Sequence, residues 1–436
     1  MSLIREFTRI MQAARRQHKN AKSKPLIQSE EICGKEGSLD NMLIHGDNKA
    51  AMKNLLEQGY GGKIQMIYID PPFFSKADYD AVVKAGDKQI RHLAYEDKWS
   101  KGMSQYLKMM SSRLYLMKEL LADDGLIFLH LDWHVVHYAK VIMDEIFGEK
   151  HFVNEIIWQY KSGGSSKKHF SRKHDTILVY GKSTKYKFFP LEEKSYNRQY
   201  KPYRFKGVKE YKDDLGWYTM VNMKDVWSID MVGRTSSERT GYATQKPEAL
   251  IERMISCCTE EGDLCADFFC GSGTLPVVAG RMNRKFIGCD EGGLAIESSV
   301  SRLAQAGQSF RVFDMKKEPK PKLKVDVEIL EEEIYGTDKT HLRIRLKSLR
   351  ERQLHKTTDG KSLETALEVL EEDALQMVHA WSIDYDYQDG IHRPDVVFVR
   401  TKGELTLEHE RIIGEKKPMC IKVVDIFGNV VFERME

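Results

Sequence analysis

Residues 67–74 read IYIDPPFF. The β-type residues of KIQMIYID predict a strand buried on both faces, as in a parallel sheet, ending at Asp70. Directly after this lone carboxylate, two prolines fix φ and remove two N–H donors. Upstream, GDNKAAMKNL leads into a helix, AAMKNLLEQ. Downstream, SQYLKMMSSRLYLMKELL predicts a long amphipathic helix and GLIFLHLD an apolar strand. VVHYAKVIMDEIFG continues as helix, and NEIIWQY and HDTILVYG as strands. Strands alternating with helices through short turns predict an α/β domain whose mostly parallel sheet is covered on both sides.

A basic, aromatic-rich stretch from about residue 181 to 240 interrupts this rhythm. The pattern then resumes with KPEALIERMISCC as helix, DLCADFF as strand, GTLPVVAGRMN as helix and KFIGCD as strand. These breaks divide the chain into a helical extension over 1–40, α/β segments over 41–180 and 241–315 flanking an insert over 181–240, and an α+β accessory domain from 316. The proline- and lysine-rich KKEPKPKLK reads as a linker into that last domain. Within it, SLETALEVLEEDALQMVHAW predicts a helix and MCIKVVDIFGNVVFE two strands joined at FGN.

The second decisive stretch is ADFFCGSGT, residues 266–274. A strand ends at Asp267, Gly271 and Gly273 permit a tight turn close to a ligand, and Ser272 and Thr274 suit the start of the next helix. The stretch is neither GxGxxG nor a lysine-bearing phosphate loop. One strand later KFIGCD places Asp290 at a strand end, where a carboxylate accepts the two hydroxyls of a ribose. A Gly-rich turn paired with a next-strand acid points to a nucleoside cofactor.

The net charge is only +3, but its distribution is uneven. From Lys161 to Lys209 there are fourteen Lys or Arg against three acids, Asp175, Glu192 and Glu193, which suits a polyanionic partner. The seven cysteines form no CxxC or Cys/His spacing, so free core thiols are expected and no metal site. No stretch approaches eighteen apolar residues and the N-terminus lacks a secretory pattern, so neither a membrane span nor export is expected.

IYIDPPF followed far downstream by DFFCGSGT resembles the permuted, or β-class, amino-methylating DNA methyltransferases that use S-adenosylmethionine. The likeness is greatest to adenine-N6 enzymes and to modification subunits of type III restriction-modification systems. YEDKW at 95–99, HDTILVY at 174–180 and TGYATQKPEALIERMI at 240–255 extend it over about residues 40–305. The resemblance implies a Rossmann-like fold with circularly permuted motif order, a target-recognition insert and a small C-terminal accessory domain. It further implies S-adenosylmethionine as cofactor without a metal, double-stranded DNA as substrate, a homodimer, a restriction-helicase subunit as partner, and a cytoplasmic location on DNA.

Residue by residue, the resemblance makes Asp70, Pro71, Pro72 and Phe73 catalytic. An exocyclic amine is a poor nucleophile because its lone pair is delocalised into the ring. Acceptors on Asp70 and the Pro71 carbonyl would direct that lone pair at the methyl group, with Phe73 stacking on the extruded base. Phe74 either lines the same pocket or belongs to the core. This chemistry permits adenine N6 or cytosine N4; the family's usual serine in the N4 enzymes makes Asp70 favour adenine. Asp267, Phe269, Gly271 and Gly273 are assigned to the methionine side of the cofactor, Asp290 to its ribose, and Lys246 and Pro247 to the segment closing the pocket. Asp47 is assigned to the cofactor, either approaching its adenine or fixing the neighbouring loop. Ala243 departs from the family's usual proline. Cys270, His130 and His134 read as packing, structural or DNA-facing groups.

For DNA, Lys167, Lys168, Arg172, Lys173, Lys185, Lys187, Arg198 and Arg204 are the candidate phosphate contacts. The segment SKADYDAVVKAGDKQIRHLAYEDKW lacks steady periodicity and reads as a DNA-contacting loop that orders on binding.

Overall fold

The computed structural model describes residues 3–75, 78–97, 99, 102–164, 166–233, 236, 238–242, 244–315, 323–351, 360–401 and 403–435. Most of KKEPKPKLK, and Ala243, therefore lie outside the described residues.

Ten strands form the main sheet: β1 (Ile27–Ile32), β2 (Glu36–His45), β3 (Ile64–Ile69), β4 (Leu121–Leu131), β5 (Phe152–Gln159), β6 (His174–Gly181), β7 (Val226–Ser228), β8 (Leu264–Asp267), β9 (Lys285–Asp290) and β10 (Gln308–Asp314). Their order is β1-β10-β2-β9-β8-β3-β4-β6-β5-β7. From β10 to β4 all neighbours are parallel, whereas β6 runs antiparallel to both β4 and β5. Strands β3 and β8 lie side by side, Met66 against Cys265 and Ile67 against Ala266, although some two hundred residues separate them. The sheet is thus closed at its centre by two distant parts of the chain, as a permuted motif order requires.

Helices α1 (Leu3–Lys19), α2 (Asn48–Glu57), α3 (Met103–Leu120) and α4 (Val136–Phe147) cover one face; α5 (Glu248–Cys258), α6 (Thr274–Arg281) and α7 (Gly293–Gln305) cover the other. The period-two alternation of the strands builds both cores at once. Ile67, Ile69, Ile127 and Leu129 enter the first, Met66, Tyr68, Leu126 and Phe128 the second. This explains why β3 and β4 are apolar at nearly every position. Each such side chain contributes about 1.5–3 kcal/mol by burial.

Residues 181–240 form a small antiparallel sheet of Glu192–Tyr196, Tyr211–Lys212 and Trp217–Asn222, after which β7 returns to the main sheet beside β5. Beyond residue 322 lie a three-stranded and a four-stranded sheet with α8 (Gly360–Asp373). Its helix stops before VHAW, which instead begins the strand Val378–Asp384; Met419–Asp425 and Val430–Met435 form the expected hairpin.

Two expectations are corrected. Residues 1–40 are not wholly helical: β1 pairs antiparallel with β10, and Glu30 meets Lys422 of the C-terminal region (2.5 Å), which also bonds Glu297 (2.8 Å). Burial pushes the Glu30 carboxyl up to about 7, against the pull of Lys422. The second correction concerns SKADYDAVVKAGDKQIRHLAYEDKW, which contains an antiparallel hairpin, Asp78–Ala85 with Lys88–Glu96. Gly86 takes the turn with φ +61°, and Ala85 and Ile90 are buried in the core of the C-terminal region. The hairpin is held by that packing, not left to order on a ligand.

Candidate active site

The carboxyl ends of the parallel strands bring Asp70, Asp267 and Asp290 to one rim of the sheet, the usual crevice of open α/β folds. There a cavity of about 470 Å³ is lined by Asp70, Pro72, Lys246, Asp267, Phe269, Gly271 and Asp290, together with Asn48, Trp99, Arg113, Tyr242 and Glu291. Its size suits a small-molecule ligand.

On the β8 side the turn after Asp267 is built by backbone geometry. Gly271 and Gly273 have φ of +50° and +74°, where side-chain-bearing residues are strained. A Cβ on Gly273 would fall 2.5 Å from Ser299 Oγ, so this glycine serves close packing beneath the turn. Gly271 lines the cavity, and its N–H donates to Asp290 Oδ2 (2.9 Å), while Gly292 N–H donates to Oδ1 (2.9 Å). Asp290 is thereby fixed with lone pairs left for a ligand. Asp267 Oδ1 accepts the Phe269 N–H (2.9 Å). Burial, with the neighbouring charges of Asp70 and Asp290, pushes the Asp267 carboxyl well above its usual range. Three crowded carboxylates favour a cationic ligand.

On the β3 side Asp70 Oδ2 accepts a hydrogen bond from Lys246 Nζ, which also reaches Thr244 O (3.2 Å) and lies 5.4 Å from the centre of the Phe73 ring. Lys246, placed by its motif in the pocket-closing segment, therefore acts on the proposed catalytic carboxylate. Asp70 Oδ1 is buried and has no hydrogen-bond partner among the described residues. His130 Nδ1 is 3.9 Å from it, too far to satisfy it. His130 is buried between the Tyr68 hydroxyl (2.9 Å) and Asp175 Oδ2 (3.3 Å), and Tyr160 donates to Asp175 Oδ1 (3.1 Å). Burial pushes the Asp175 carboxyl up, but the His130 hydrogen bond and the charges of His130 and Lys246 hold it below its usual range. HDTILVY thus supplies the support under the DPPF turn, and the Phe73 ring sits 5.8 Å from that of His130. His134 is tied to Asp132 (2.5 Å), a local contact.

YEDKW explains how the turn is held. Asp97 is fully buried and accepts the N–H groups of Phe74 (3.1 Å) and Ser75 (2.6 Å), the Ser75 hydroxyl (2.8 Å) and Trp99 Nε1 (2.8 Å). Phe74 needs this support because its φ is +60°. Its ring packs on Tyr106 (5.9 Å) and, as the Phe73 ring also does, against the first core. Asp47 fixes its own loop: it caps α2 through Ala50 N–H (2.9 Å) and pairs with Arg113 (3.2 Å), and its neighbour Asn48 lines the cavity. Pro247 is the N-terminal cap residue of α5, behind Lys246. Asn48, Trp99, Arg113 and Tyr242 were missed as lining residues, although all but Arg113 lie inside the motifs GDNKAAMKNL, YEDKW and TGYATQKP.

The basic residues divide. Lys167, Lys168, Arg172, Arg198 and Arg204 are exposed. Lys173 is spent inside its own loop, on Ser162 and Gly163 carbonyls (2.8 and 2.7 Å). Lys187 is paired with Glu260 (3.1 Å) and Asp263 (3.0 Å), at the amino end of β8. It and the exposed Lys185 therefore stand at the end of the sheet opposite the cavity, because β6 runs antiparallel and delivers the chain there.

Residues 64–300, more than half the chain, match the DNA methylase family of N6 and N4 amino methyltransferases. This chain belongs to that family. The methylase is similar to the type II methyltransferase M.EcaI of Enterobacter cloacae, at 28% identity over 62% of this chain and 71% of that protein. It is similar to the Mod subunit of the type III restriction-modification enzyme EcoP15I of Escherichia coli, at 31% identity over 33% of this chain and 24% of that one. Among solved structures it is similar to the M1.HpyAVI–SAM complex, at 20% identity and a TM-score of 0.38, over 60% of this chain and all of that one. The family match makes the chain a DNA methyltransferase.

Proposed function

We propose that the methylase transfers a methyl group from S-adenosylmethionine to the N6 amine of adenine in a specific double-stranded DNA sequence. The observation that carries this reading is the DPPF turn itself, whose Asp70 and Pro72 line the same cavity that the CGSG turn and Asp290 build. The residues fit the cofactor: a sulfonium and an ammonium suit a cavity crowded by Asp70, Asp267 and Asp290, and Asp290 keeps acceptor capacity for a ribose. When bound, S-adenosylmethionine supplies an already activated methyl group. Asp267 and Phe269 would hold its methionine side.

The chain's own work is to position the amine. Asp70 Oδ1 accepts one N–H of the exocyclic amine, and the Pro71 carbonyl accepts the other, so the lone pair points out of the ring plane toward the methyl carbon. Phe73 supplies the stacking face, backed by His130. Lys246 holds the Asp70 carboxylate, and Asp97 holds the turn that follows Phe73. The chemistry at Asp70 permits either amine; the choice of adenine over cytosine N4 rests on the resemblance, in which the N4 enzymes usually carry serine at this position. Type III Mod likeness extends the reading to a homodimer that docks a restriction-helicase subunit and acts on DNA in the cytoplasm.

Sequencing of modified bases in DNA from cells expressing the methylase tests the assignment. N6-methyladenine at one short recurrent sequence is the expected result; N4-methylcytosine there would overturn the base assignment. Two variants test the parts. Asp290→Ala should weaken S-adenosylmethionine binding, measured by calorimetry, about 10- to 100-fold, since hydrogen bonds to a buried carboxylate are lost; an unchanged Kd would exclude the ribose contact. Replacing Lys167 and Lys168 by glutamine should lower the slope of log affinity against log salt by about 1 to 2 for duplex DNA. An unaltered slope would move the phosphate contacts elsewhere.

A further inference from the structure

Phe170 is 99% exposed, in the loop joining β5 to β6. A bare aromatic ring in water is unfavourable, and this one is not loosely presented. Ser166 Oγ accepts the N–H groups of Lys168 (3.2 Å) and His169 (3.4 Å), and His169 Nδ1 bonds Phe170 O (2.8 Å), so this stretch has a defined turn. The loop's base is clamped by Lys173 on the Ser162 and Gly163 carbonyls and by the Tyr160 N–H on Lys173 O (3.0 Å). Arg172 stacks on Trp133, its guanidinium carbon 3.9 Å from the ring centre. The loop is thus a braced finger carrying one apolar ring.

Its position relates it to the cavity. Tyr160 and Asp175, at the two ends of its stem, form the hydrogen-bonded support beneath His130 and Asp70. Its charge relates it to DNA: Lys161, Lys167, Lys168, Arg172 and Lys173 lie within 161–173 and no acid does. A phosphate backbone matches such a loop in charge. An apolar wedge flanked by cations is the device by which proteins enter a base stack.

We propose that Phe170 is a DNA wedge that inserts into the duplex beside the target, occupying the stacking space left when the base turns into the cavity. This rests on the reading of the methylase as a duplex-DNA amino methyltransferase. The ring compensates for stacking lost on extrusion, while Lys167 and Lys168 hold the flanking phosphates. Phe170 does not touch the reacting atoms; it is a positioning residue.

The test compares single-turnover methylation by the full-length wild type, Phe170→Ala and Phe170→Trp on two duplexes bearing the mapped target sequence. One is fully paired; the other has an abasic position opposite the target base, so extrusion is already eased. Phe170→Ala should slow methylation of the paired duplex roughly 10- to 100-fold yet stay within about threefold of wild type on the abasic one. Phe170→Trp should retain near-wild-type rates on both. Equal loss on both duplexes, or no loss on the paired one, overturns the wedge. A wild type that methylates no DNA overturns the underlying reading itself, a result distinct from either.

Discussion

Replacing Asp70 with alanine should lower the rate of methyl transfer by about 1,000-fold or more while leaving S-adenosylmethionine affinity within about threefold. The carboxylate lines the cavity, and its buried Oδ1 is satisfied by no group among the described residues. Without it the amine keeps its lone pair delocalised into the ring, and no neighbour takes its place: Tyr68 and Asp175 already occupy His130, which stands 3.9 Å from that oxygen. Lys246 loses its partner as well, leaving a buried ammonium bonded only to the Thr244 carbonyl among the contacts found for it. Rapid-quench transfer rates and calorimetric Kd values separate the two effects. A folded variant with near-normal transfer would reject the assigned role.

The second large effect is expected at Asp97, which touches neither ligand site directly. Its two oxygens gather four donors from Phe74, Ser75 and Trp99 in a fully buried setting. Asp97→Ala should destabilise the fold by about 3 kcal/mol, since a buried multiply bonded carboxylate leaves its donors unpaired. Phe74, at φ +60°, should then relax, displacing the preceding Asp70-Pro71-Pro72-Phe73 turn. A shift of that kind should slow transfer about 100-fold even where the protein remains folded. Denaturant titration and transfer rates at low temperature measure the two losses separately. Reduced stability with unchanged kcat would mean that the turn holds its shape without Asp97.

How much of this was legible in the sequence depended on the distance over which each signal acts. The continuous apolar runs of β3 and β4 announced two-sided burial, and DPPF and CGSG announced a carboxylate and a tight turn because their chemistry is local. Lys246 on Asp70 was not legible, since 176 residues separate them and TQKP alone says only that a lysine precedes a helix. Strand β1 and the hairpin around Gly86 were missed because edge strands with mixed exposure carry little periodicity; their pairing is decided by β10 and the C-terminal core. Lys185 and Lys187 show a different failure. Charge density locates a basic segment along the chain but not at which end of a sheet it emerges, and the antiparallel course of β6 carries these residues away from the cavity.

Labelled methyl transfer to unmethylated duplex DNA, followed by nucleoside mass spectrometry, tests the central claim most directly. The expected result is label in N6-methyladenine with the wild type and none with Asp70→Ala. Label in N4-methylcytosine, or label persisting in the Asp70→Ala variant, would contradict it.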